Sequence, residues 1–200
     1  MPLDPRDPVS TRSPSSGPCF LYVAPSAYED LAKLGFSRDP LVRLQSLHPR
    51  WFEVFDLDRA MLVETETVRD ARRIELKLRR QLTLHNAPAP LTVRQQAGGH
   101  TEWYRGAYEQ LGDAVIALGA SGHAVHAPAR PWFGRTLGGR GDQLYSWSDA
   151  LLTPDELDGL VGNSPGQRTV RDVLDAFSAL SIEVEPLLPE RIWRWYRGGG

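Results

Sequence analysis

Tyr22, Lys33, Arg43 and Glu75 bring a phenol, two cations and a carboxylate to the early part of the chain. A phenol takes the proton of an attacking water when nearby cations lower its pKa. Lysine and arginine neutralise the charge that builds on a phosphoryl group in its transition state. A carboxylate holds Mg²⁺, an ion that keeps several waters and needs few protein ligands. The set suits phosphodiester hydrolysis. Glu75 says most. Val68, Ala71, Ile74, Leu78 and Leu82 form one apolar stripe at helical spacing. At about 100° per residue, Glu75 falls inside that stripe, toward one edge. A carboxylate there is costly unless a cation or hydrogen-bond donors meet it. The plain alternative is an ion pair with Arg72 or Arg79, one turn away on either side.

These residues need elements to hold them. Cys19–Ala24 (CFLYVA) and Leu31–Ser37 (LAKLGFS) read as strands, with Pro25–Asp30 as the turn of a hairpin. Tyr22 and Lys33 then belong on adjacent strands with their side chains on one face. Asp39 followed by Pro40 starts a short helix carrying Leu41, Arg43, Leu44 and Leu47. Trp51–Thr65 reads as strand material broken around Asp56–Arg59, and the helix Thr67–Leu84 follows. Between Thr67 and Leu82 that helix carries Arg69, Arg72, Arg73, Lys77, Arg79 and Arg80 against only Asp70 and Glu75. Such a run is a solvated face or a phosphate-facing one. Arg69, Arg73 and Arg80 lie off the apolar stripe and are the candidate nucleic-acid contacts.

Asn86–Gly99 reads as a loop, Thr101–Tyr104 as a return to the core and Tyr108–Leu118 as a helix. Gly and Pro content predicts an irregular connection over His123–Asp142, then helices over Thr153–Leu160 and Thr169–Leu180 and a strand at Ile182–Glu185. His85 or His100 could approach the site from the loop, whereas His123 and His126 lack a third partner for a metal. The tail Trp193, Trp195 and Tyr196, interleaved with Arg194 and Arg197, either stacks on bases or seals the fold; sealing is the simpler role. Cys19 is alone, which excludes a disulfide framework and a cysteine-rich zinc site. The net charge of −2 gives no global argument for nucleic acid. No signal-peptide pattern or membrane-length apolar run is seen, so the expected compartment is the cytoplasm, without a membrane partner.

The ordered motifs resemble the GIY-YIG nuclease family, in the branch whose second motif starts with Lys. Phe20-Leu21-Tyr22 stands at the Gly-Ile-Tyr motif and Lys33-Leu34-Gly35 at Tyr-Ile-Gly. Arg43 matches the helix arginine, Glu75 the metal-binding glutamate, and Glu102-Trp103-Tyr104 the closing Glu-Trp-aromatic motif. Phe20 replaces the first glycine, and Lys33 the second tyrosine. The resemblance implies an α+β fold: a small antiparallel three-stranded sheet flanked by helices over residues 19–108. Residues 1–18 are expected to form a flexible leader, and residues 109–200 a mainly helical C-terminal extension open to a protein partner. It implies a metal-dependent endonuclease acting on DNA, or RNA. Tyr22 is then the general base or nucleophile, Lys33 and Arg43 the charge stabilisers, and Glu75 the ligand of Mg²⁺ or Mn²⁺. The alternative is a catalytically degenerate nucleic-acid-binding or regulatory protein on the same scaffold.

Overall fold

The computed structural model describes residues 16–93 and 101–198. The fold is α+β. Its strands are β1 (Ser16–Pro25), β2 (Leu31–Ser37), β3 (Met61–Thr67), β4 (Asn86–Ala87), β5 (Trp103–Arg105) and β6 (Val125–His126). They make one antiparallel sheet in the order β4-β5-β2-β1-β3-β6. The sheet is therefore wider than the three strands expected: β2-β1-β3 is its centre, and short strands extend both edges. These additions have two or three residues each, too few to show periodicity in a sequence.

Alternation along the hairpin sorts side chains to two layers. Leu21, Val23, Ala32, Leu34, Met61 and Val63 share one core with Leu78 and Leu82, from α3 (Val68–Gln81) and the residues after it, and with Leu111 and Val115 of α4 (Tyr108–Ala120). Tyr22, Ala24, Leu31 and Leu62 face the other core. That core takes Leu41, Leu44 and Leu47 from α1 (Pro40–Leu47) and Trp51 and Phe52 from α2 (Trp51–Val54). It is completed from the C-terminal half by Phe133 of α5 (Arg130–Gly138), Leu144 of α6 (Leu144–Leu151), Val170, Leu174 and Phe177 of α8 (Pro165–Ala179), and Ile192 and Trp195 of α9 (Glu190–Arg197).

Asp39 caps α1 as its sequence predicts, accepting from Val42 N at 3.0 Å, an interaction worth about 1 kcal/mol. The other Asp39 oxygen pairs with Arg140, so the C-terminal half braces the start of the helix that carries Arg43. Thr153 and Pro154 likewise open a short helix, α7 (Pro154–Leu157), through a capping box.

Several local expectations change. Trp51–Val54 is a helical turn, not a strand, because Trp51 and Phe52 must both reach one core, which alternation would forbid. The glycine- and proline-rich connection contains α5, with Pro131 in its first turn, where no N–H is needed. Ile182–Glu185 is not a strand; a 3-10 turn covers Glu185–Leu187. Among the described residues no helix is long and apolar enough to cross a membrane.

Candidate active site

Tyr22 and Gly35 are cross-strand partners, as are Ala24 and Lys33, so Tyr22, Lys33 and Gly35 share one face of the hairpin. The pairing runs from Phe20 to Pro25 with no register shift, so Gly35 is not a bulge. Its reason is the phenol above it. A Cβ at position 35 would stand 2.5 Å from Tyr22 Oη and 2.7 Å from Tyr22 Cζ. Gly35→Ala therefore forces the ring aside and destabilises the fold by about 1–3 kcal/mol. At roughly 2–4 °C per kcal/mol for a chain of this size, thermal melts resolve the loss. An unchanged melting temperature would mean that the phenol does not lie over the glycine.

Arg43 reaches the same phenol from α1, donating its Nε–H to Tyr22 Oη at 3.4 Å. Glu75 arrives from α3. The four residues line one open pocket of about 350 Å³, together with Arg72, Arg79 and Glu102. The pocket thus draws on the sheet and on both helical layers. Phe20 does not line it: its ring packs edge-on against Trp132, with centroids 5.1 Å apart.

Lys33 is 1 % exposed. Its ammonium donates to the Thr101 carbonyl and to Glu102 Oε2, the latter at 3.1 Å, and lies 5.8 Å from the Trp103 ring centre. Burial pulls the Lys33 ammonium below the ordinary lysine value, against the opposing pull of Glu102. Burial raises the Tyr22 phenol, and the Arg43 charge and hydrogen bond oppose it. For Glu102, burial acts to raise the carboxyl, but hydrogen bonding with Thr101 and the charges of Lys33 and Arg79 outweigh it and hold it below the ordinary value.

Glu75 is 6 % exposed. Burial pushes its carboxyl above the ordinary value, and the Arg79 charge offsets only part of this. Arg79 stays 3.9 Å from it, at the outer limit of an ion pair. Neither helical neighbour therefore satisfies this carboxylate by a close pair. Among the described residues no group of three or more His, Cys, Asp or Glu is arranged around a metal. A cation here would rest on Glu75 and waters, a donor set that fits Mg²⁺ or Mn²⁺.

Arg69, Arg73 and Arg80 are exposed on a groove along α3 that adjoins the pocket through Arg72 and Leu76, which line both. Arg73 pairs with Asp70 at 3.3 Å. Arg69, Arg72, Lys77 and Arg80 make no ion pair among the described residues. Most other arginines of the fold are tied to carboxylates or rings, such as Arg50 to Asp172 and Asp175, and Arg171 over Trp195.

The histidines serve elsewhere. His85 Nδ1 donates to the Arg105 carbonyl at 2.8 Å, and His100 lies outside the described residues. His126 bonds the Glu64 carboxylate at 2.7 Å and His123 donates to the Glu64 carbonyl at 3.1 Å, fixing the β3–β6 edge. Trp195 is buried in the core, in keeping with a tail that seals the fold. The sequence presents Arg72 and Arg79 as members of the basic run and as partners for Glu75, and Glu102 only as a motif letter. Their place in the pocket comes from the structure; the one sequence signal is the repeat of arginine at a helical turn on either side of Glu75.

Residues 19–118, half of the chain, match the T5orf172 domain. The chain belongs to the T5orf172 domain family. No curated protein and no solved structure matches it.

Proposed function

We propose that this protein is a metal-dependent endonuclease that hydrolyses phosphodiester bonds in DNA, or RNA, as its GIY-YIG-like motifs suggest. The observation that carries this reading is the convergence of Tyr22, Lys33, Arg43 and Glu75, from four separate elements, on one pocket. Arg43 favours the phenolate of Tyr22, which takes the proton of the attacking water. Lys33 and Arg43 face the charge that develops on the phosphoryl oxygens. Glu75 would hold the divalent cation, whose chemistry there is to neutralise phosphoryl charge and ease departure of the leaving oxygen. The cations of α3 that lack acidic partners would meet the flanking backbone phosphates. Phe20, the departure from the motif that favours a degenerate binding protein, turns toward Trp132 and stays out of the pocket lining.

Incubating the full chain with labelled single-stranded DNA, duplex DNA and RNA, in Mg²⁺ or in EDTA, tests the reading. Cleavage of at least one substrate in Mg²⁺ only is expected; binding without cleavage of any would replace it with the degenerate alternative. Neutralising Arg69, Arg73 and Arg80 together should weaken binding and lower the slope of log affinity against log salt, by about 0.7–0.9 for each phosphate no longer neutralised. Their exposure leaves stability nearly unchanged. An unaltered slope in anisotropy titrations would make this helix face merely solvated.

A further inference from the structure

Arg79 follows Glu75 by four residues on α3, the spacing at which glutamate and arginine pair along one helix face. The pair does not close. Arg79 Nη1 lies 3.9 Å from Glu75 Oε1 but 3.0 Å from Glu102 Oε1. Glu102, at the entry to β5, takes Arg79 on one oxygen and Lys33 on the other. Its backbone φ of 63° lies in the left-handed region, which disfavours glutamate and favours glycine or asparagine. Its carbonyl accepts from Leu34 N at 3.1 Å, and the next residue, Trp103, pairs in register with Lys33. The sheet therefore sets where this carboxylate sits. A costly backbone conformation held in place by its surroundings, beside a candidate active site, points to the job of its side chain.

We propose that Glu102 is a positioning residue: it draws Arg79 off Glu75 and so keeps the Glu75 carboxylate open to a divalent cation. The proposal rests on the role of Glu75 given above. Without the Glu102 charge, Arg79 turns to its neighbour on the helix, neutralises it and competes with the cation.

A melting cycle in EDTA tests the pairing without metal or substrate. In the wild-type background Glu75→Gln raises the melting temperature, because it removes a buried carboxylate without a close partner. In the Glu102→Gln background the same change lowers it, because a new pair with Arg79 is broken. With Arg79→Gln added to Glu102→Gln, the change at position 75 raises the melting temperature again. Calorimetric titration with Mn²⁺ alone tests the consequence. Glu102→Gln should weaken Mn²⁺ binding at least about tenfold, and adding Arg79→Gln should restore it. A shift at position 75 with the same sign and size in the wild-type and Glu102→Gln backgrounds overturns the proposal whatever the metal does. If the sign reverses but the wild-type chain binds no Mn²⁺, the metal role of Glu75 falls, and with it the part of the proposal that concerns the cation.

Discussion

On the proposed nuclease mechanism, Glu75→Gln should lose nucleic-acid cleavage at every practical Mg²⁺ concentration while its melting temperature at neutral pH goes up. The loss should reach about a thousandfold or more, since a metal at a phosphoryl group supplies several kcal/mol of transition-state stabilisation. The gain in stability follows from the raised pKa of the buried carboxyl. A group whose folded pKa lies above its unfolded value favours the folded state fully only below the unfolded value, near 4.5, and that advantage is lost as pH rises through the folded pKa. At neutral pH the charged form is a burden on the fold, and glutamine lifts it. Melts across pH should therefore show the variant above wild type at neutral pH, with the two converging below about 4.5. If Glu75 were the structural partner of Arg79, the variant would melt lower and cleave normally. That single result would overturn the metal assignment.

Tyr22→Phe should reduce cleavage at least about a hundredfold, the usual contribution of a general base, with little change in melting temperature. Only one long hydrogen bond, 3.4 Å from Arg43 Nε, is removed, and the ring still fills the space over Gly35. The pH profile gives a second check. The phenol's pKa is pushed above its ordinary 10.0, so wild-type cleavage should climb with pH through the neutral and alkaline range. The Lys33 ammonium, held below its ordinary 10.5, ends the climb when it loses its proton. Tyr22→Phe should flatten the rising limb. A mutant with the wild-type profile would take the phenol out of the mechanism.

The hairpin, the capped α1 and the apolar stripe of α3 were legible because each depends on neighbours within one or two turns of chain. The placement of the candidate site residues was legible to the same extent: a strand tyrosine, a lysine on the next strand, an arginine on the following helix and a carboxylate inside an apolar stripe. Trp51–Val54 misled because aromatic and β-branched types favour strands until tertiary packing overrides them. The α5 helix was hidden by Pro131 and its glycines: Pro131 is harmless in the first turn and Gly138 closes the helix, while Gly134 sits in its middle and is carried by the packing of Phe133 and Leu137. Glu102 could not be read at all as a site residue. Its reach to Lys33 and Arg79 depends on a left-handed backbone turn and on the strand pairing that fixes it.

One of the two cores is built from both halves of the chain. Residues 19–118 supply Tyr22, Leu41, Leu44 and Trp51; Phe133, Val170, Phe177 and Ile192 close over them. The segment that defines the family is thus no portable cassette in this protein. Grafted onto another scaffold, it would present a raw apolar face beside Arg43, and the helix holding that arginine would lose its Arg140 brace. Recombination could exchange the family domain of this protein only by carrying its helical half along.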